Sequence, residues 1–115
     1  TWGLGESLVG GAVTPDLYVV QKSDYTVRLR EIADKQWMTV ARPQGTCEVA
    51  VPRSLRREAV LSTEQIVSLT RLAIALEQSQ GWPVDLECAF QQGQLYLLQC
   101  RPITTLPGGQ SSQLA

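Results

Sequence analysis

The sequence predicts an α+β fold, mainly antiparallel sheet with one long packing helix. Three observations predict it. Short segments rich in β-formers, separated by turn residues, fill the first half. One stretch, Leu61 to Gly81, combines helical periodicity with capping residues at both ends. After it come two strand-like segments flanking a glycine turn.

The elements follow in order. Residues 1–14 carry Gly3, Gly5, Gly10 and Gly11, the composition of a loop or of a segment that approaches other backbone closely. Thr14-Pro15-Asp16 is a turn signal. Leu17 to Lys22 reads as a strand, Ser23-Asp24 as a turn, and Thr26 to Ile32 alternates as a half-exposed strand. Gln36 to Ala41 and Thr46 to Val51 are two further strands around a turn at Pro43 to Gly45, so an antiparallel meander is expected. Pro52 to Val60 carries Arg53, Arg56 and Arg57. It reads as a solvated connector with a helical turn, or as a phosphate-binding patch.

The helix starts at Ser62, where Gln65 completes a capping box and Glu64 suits the N-terminal end of the dipole. Ile66, Leu69, Ala73 and Leu76 recur at helical spacing, Leu72 widens the stripe, and the stripe is core packing. Gly81 suits the residue after the helix, and Pro83 prevents continuation. Val84 to Phe90 alternates, Gln91-Gln92-Gly93 forms a turn, and Leu95 to Arg101 is the partner strand. Residues 107–115 have no charge and no periodicity, as in a linker or frayed tail.

Composition excludes several functions. At 115 residues the chain is smaller than a typical domain of roughly 150, so a multidomain enzyme does not fit within it. With 43% hydrophobic and 18% charged residues it is too apolar for disorder. A net charge of −1 argues against bulk nucleic-acid binding. There is no histidine, which removes Ser-His-Asp and Cys-His catalysis, a His-metal site and a phosphohistidine carried on this chain. Cys47, Cys88 and Cys100 lack C-x-x-C spacing, so buried reduced thiols are expected rather than a disulfide framework or zinc site. No apolar run approaches the ~18 residues that span a bilayer. The start lacks the pattern of a signal peptide, so a cytoplasmic protein with no membrane partner is expected. The absence of an initiator Met fits a piece of a longer protein.

The hairpin over 84–101 carries the candidate chemistry. A three-residue loop at Gln91 to Gly93 pairs Phe90 with Gln94, sets Asp85 opposite Gln99 and sets Glu87 opposite Leu97. Asp85, Glu87, Gln99 and Arg101 then share one face; a two-residue loop would split the set. A carboxylate and an amide oxygen are hard ligands suited to Mg²⁺, and a nearby guanidinium can hold a phosphate oxygen. The bland alternative is a half-exposed hairpin with an Asp85–Arg101 or Glu87–Arg101 ion pair. Gly3-Leu4-Gly5-Glu6 matches neither a P-loop nor a full dinucleotide fingerprint. A dinucleotide binder would need a parallel βαβ unit near residue 1.

Taken in order, these segments resemble the phosphoenolpyruvate synthase (pyruvate, water dikinase) family. Gly3-Leu4-Gly5-Glu6, Val9, Gly11, Val13, Pro15 and Asp16 resemble its glycine stretch, and Leu61 to Glu77 resembles its helix. Pro83-Val84-Asp85-Leu86-Glu87, followed by Leu95 to Thr105, resembles its specific signature. Rifampicin phosphotransferases share these motifs.

The resemblance covers residues 3 to about 106. It implies the C-terminal part of an ATP-grasp nucleotide-binding domain over 1–106. In that family the signature Glu and Gln bind Mg²⁺ and the Arg contacts ATP phosphates, which implies Glu87, Gln99 and Arg101 here, with Arg101 also catalytic. The implied parent enzyme moves phosphoryl from ATP to a histidine on another domain, then to pyruvate or another acceptor. It needs an earlier ATP-gripping half and a swivelling histidine domain, so this chain alone is not expected to catalyse. The surface left by the missing lobe could instead pair two copies as a homodimer. Two positions depart from the pattern: Cys88 replaces the usual Trp, and Ser79 the usual His. The motif's glycine-loop Glu falls on Glu6, as a ligand or a structural cap.

Overall fold

In the computed structural model, residues 1–6 and 13–104 are described, together with the backbone of 112–114. The motif positions Val9, Gly10, Gly11 and Thr105 lie outside them, as does most of the tail expected over 107–115.

Leu17–Val20 (β1) pairs antiparallel with Val27–Glu31 (β2), setting Tyr18 opposite Arg30 and Val20 opposite Val27. The turn between them is closed by Asp24, whose carboxylate accepts the Thr26 N–H at 3.0 Å. Trp37–Arg42 (β3) and Gly45–Ala50 (β4) form a second pair, with Arg42 opposite Gly45 across Pro43-Gln44. Thr63–Gln80 is the one long helix among the described residues, α1. Val84–Gln91 (β5) and Gln94–Pro102 (β6) form a third pair. Ser112–Leu114 (β7) lies antiparallel on the other edge of β1, giving the order β2-β1-β7. The described residues are therefore α+β, with antiparallel sheets and one long helix.

The expected continuous meander is corrected. β2 and β3 do not pair, and the strands fall into three separate sheets. The reason lies in the segment between them. Asp16, expected in a turn, is buried and gathers three parts of the chain. Its Oδ1 accepts the Ala33 N–H at 2.9 Å and the Lys35 ammonium at 2.5 Å, and its Oδ2 accepts the Val60 N–H at 2.9 Å. Lys35 is buried with it, and its own backbone N–H donates to Arg56 O at 2.8 Å. The connecting residues Ala33 and Lys35 are thus tied to this centre and to Arg56 instead of closing a tight turn between β2 and β3.

Tyr18, Val20 and Ile66 form the buried core, with Val27 and Leu61 packed against it. Each such side chain contributes roughly 1.5–3 kcal/mol when fully buried. Ile66 and Leu69 come from the expected helical stripe. Thr70 does not, yet it is fully buried; its hydroxyl is satisfied by donating to Ile66 O at 2.8 Å. Glu77 receives the Lys22 ammonium at 2.8 and 2.9 Å, tying the last helical turn to the exit of β1.

Both helix ends form as their residues dictate. The Ser62 hydroxyl accepts the Gln65 N–H at 3.1 Å, and the Gln65 side chain accepts the Ser62 N–H at 2.9 Å. Gly81, at φ 82°, closes the other end by donating to Glu77 O. Ser62→Ala is expected to lower stability by about 1 kcal/mol, read as a shift in the denaturant midpoint with an unchanged slope.

Arg53–Leu55 forms a single 3₁₀ turn. Arg56 donates from Nε to Val51 O at 3.2 Å, and exposed Arg57 lies 3.8 Å from Asp34. Two of the three arginines are thus turned to protein partners, as in the connector reading.

Candidate functional site

The β5–β6 hairpin differs from its expected register in an informative way. The turn has two residues, not three. Gln92 at φ 51° and Gly93 at φ 79° both take the left-handed conformation, and Gln91 faces Gln94. Such a turn matches the twist of the flanking strands. From there the register runs Phe90 to Leu95 and Cys88 to Leu97, then shifts between Glu87 and Cys88. Leu98 is the extra residue of a bulge on β6. Beyond it Glu87 faces Gln99 and Asp85 faces Arg101, which replaces the expected pairing of Asp85 with Gln99 and Glu87 with Leu97.

The bulge decides the site. Without it, the two-residue turn would send Gln99 and Arg101 to the face opposite Glu87. With it, Asp85, Glu87, Gln99 and Arg101 project from one face. Glu87 is half-buried; the other three are exposed. Among the described residues the ion pairs are Lys22–Glu77, Lys35–Asp16 and Arg57–Asp34. Arg101 therefore forms neither of the ion pairs of the bland alternative. Its guanidinium is open to an external anion.

The glycine segment lies beside this face, although it stands at the other end of the sequence. Leu4 N–H donates to Thr39 O at 2.8 Å, and Gly3 forms an isolated parallel bridge to Thr39. Gly3 has φ 73°, and a side chain there would collide with the Thr39 carbonyl, so the close approach needs glycine. A Cβ on Gly5 would sit 3.5 Å from Glu87 Oε1. Glu6 Oε1 accepts the Thr46 hydroxyl at 2.7 Å. Sequence reasoning found the glycines as a close-approach segment but not what they approach. All strand pairs among the described residues are antiparallel, which removes the dinucleotide reading.

The donor set fits a hard cation shared with a ligand. Directly opposed side chains on one face have Cβ atoms about 4.5–5.5 Å apart, close enough for the Glu87 carboxylate and the Gln99 amide oxygen to converge on one ion. Among the described residues no group of three or more His, Cys, Asp or Glu could hold a metal by itself. Two oxygen donors with open space suit Mg²⁺, which keeps waters and binds substrate phosphates alongside one or two protein ligands.

The opposite face is different in kind. Val84, Cys100 and Pro102 line a shallow hollow there with Gln80 and Trp82. The three cysteines are free, but the expectation of burial is corrected: Cys47 and Cys88 are half-buried and Cys100 is exposed. Two-stranded pairing leaves β6 without a covering layer, so Tyr96, Leu97 and Leu98 stay exposed as well. Burial pushes the Cys88 thiol above its ordinary value, with Cys100 and Glu87 adding to the shift.

Comparison with known proteins places the chain in a family. A family model described as pyruvate phosphate dikinase, AMP/ATP-binding domain, matches residues 1–115. The phosphoenolpyruvate synthase of Pyrococcus furiosus is 42% identical over 92% of this chain, which covers 14% of that relative. A probable phosphoenolpyruvate synthase of Methanocaldococcus jannaschii is 39% identical over 99% of the chain and 10% of the relative. The prodigiosin synthesizing transferase PigC of Serratia marcescens is 38% identical over 90% of the chain and 12% of the relative. The chain thus spans a small part of the proteins it matches. It belongs to the pyruvate phosphate dikinase AMP/ATP-binding domain family.

Proposed function

We propose that the chain is the C-terminal, ATP-grasp-type lobe that holds Mg·ATP in a dikinase-type phosphotransferase. One observation carries this reading: Glu87, Gln99 and Arg101 share a face on which Arg101 forms no ion pair among the described residues. Glu87 and Gln99 hold Mg²⁺, and Arg101 binds a phosphate oxygen and stabilises charge on the transferring group. The metal, when bound, neutralises phosphate charge. The glycine segment closes one side of the face. The exposed apolar surface of β6 is where the rest of the ATP-binding domain packs.

In the intact enzyme the phosphoryl group passes to a histidine on another domain, since this chain has no histidine, and then to pyruvate. A second reading keeps the nucleotide face and changes the acceptor, as in rifampicin phosphotransferases. The match to a relative named as a prodigiosin synthesizing transferase supports that breadth of acceptors.

Titrating the protein with ATP, with and without Mg²⁺, tests the nucleotide reading. Exposed Trp37 and Trp82 provide a fluorescence signal, and the heat of binding a second. Saturable binding that requires Mg²⁺ is expected and Arg101→Ala should weaken it. No binding at millimolar nucleotide would overturn the reading.

A further inference from the structure

We infer that Thr46 is a positioning residue for the nucleotide face, acting through Glu6 and the glycine segment; this rests on the reading of Glu87 as a ligand. The β3–β4 hairpin holds that segment at two places. On β3, Thr39 O accepts the Leu4 N–H at 2.8 Å, and the fit tolerates only glycine at position 3. On β4, the Thr46 hydroxyl donates to Glu6 Oε1 at 2.7 Å. That length suits a hydroxyl donating to a charged oxygen.

Gly5 lies between these tethers, and Gly5 is the residue whose backbone passes against the Glu87 carboxylate. The first tether is backbone and is set by the hairpin itself. The second is a single side-chain bond, and it is the one a substitution can remove. Thr46 stands opposite Ala41, next to Gly45 at the hairpin turn, so its hydroxyl is placed by register rather than by a long rotatable stem. Losing the bond frees Glu6 and lets the glycine segment drift from Glu87. The face then meets Mg·ATP with one wall out of position. The hydroxyl is engaged by Glu6 and acts through the wall it holds, so the loss should appear in binding rather than in the chemical step.

Thr46→Val keeps the side chain's shape and removes the donor, while Thr46→Ser keeps the donor. KM for Mg·ATP, kcat and the thermal midpoint are measured for both in the full protein, beside Glu87→Gln. The expected result is a rise in KM of about two- to tenfold for Thr46→Val, the factor one net hydrogen bond represents. Thr46→Ser should restore KM, with kcat and thermal midpoint near the parent's in both variants. An unchanged KM in Thr46→Val, or equal damage in Thr46→Ser, overturns the inference. If Glu87→Gln impairs Mg·ATP use and Thr46→Val does not, only this inference falls. If Glu87→Gln is also without effect, the reading of the face falls with it.

Discussion

Glu87→Gln is expected to lower Mg·ATP-dependent turnover of the intact parent enzyme by about 10²–10³-fold, the scale for losing one preorganised electrostatic contact to a reacting group. The substitution keeps the side chain's size and removes its charge. Glu87 is half-buried on a strand with no ion-pair partner among the described residues, so stability should change by no more than about 0.5 kcal/mol. The metal role adds a signature: raising Mg²⁺ should recover part of the lost activity, because a weakened site fills at higher concentration. Steady-state turnover across an Mg²⁺ series is the measurement. Parent-like turnover at low Mg²⁺ would refute the ligand role.

Asp16→Ala is expected to cost about 3–5 kcal/mol, because it leaves the buried Lys35 ammonium without its counter-charge. That is a large share of the about 5–15 kcal/mol that holds an ordinary domain folded. Adding Lys35→Met should restore much of the loss by removing the orphaned charge. The pair also predicts a pH dependence. Burial alone would raise the Asp16 pKa, but the Lys35 ammonium and the Val60 and Ala33 N–H groups outweigh it and hold the carboxyl below its usual range. A depressed folded value means the stabilisation is complete above the unfolded value of about 3.9 and is lost as pH falls through the folded one. Denaturant unfolding at pH 7 and pH 3 should show the parent losing stability in acid. The double variant Asp16→Asn/Lys35→Met should lose that part of the dependence.

The two centres differ in how far the sequence announces them. The helix was legible because its signals are local: Ser62, Gln65 and Gly81 act within a turn of their own positions. Asp85 and Glu87 on one face were legible because alternation along Val84–Gln91 sorts side chains by face, while Gln99 and Arg101 join them through a shorter turn and a bulge whose effects cancel. The register was not. Leu95, Leu97 and Leu98 offer no polar contrast, so nothing in composition marks Leu98 as the bulged residue. The left-handed Gln92 is equally unmarked, since Gly93 accounts for a turn on its own. The Asp16 centre was missed for a different reason. Pro15-Asp16 is a sound turn signal, and Lys35 lies in a segment with no periodicity; only tertiary packing joins them. The approach of Gly5 to Glu87 likewise joins distant parts of the chain.

The bulge at Leu98 has a consequence for how related chains can vary. Turn length and bulge together set a parity. A two-residue turn with one bulged residue leaves Glu87 and Gln99 on the same side, and so does a three-residue turn with none. A single insertion or deletion between these two residues therefore changes whether a bulge is needed to keep them on one side. A lone deletion of Leu98 would keep the apolar character and the strand intact. It would also remove the extra residue, so the two-residue turn would run on in regular register with Gln99 still facing Glu87; keeping Leu98 but drawing it into a regular ladder is what would turn Gln99 and Arg101 away.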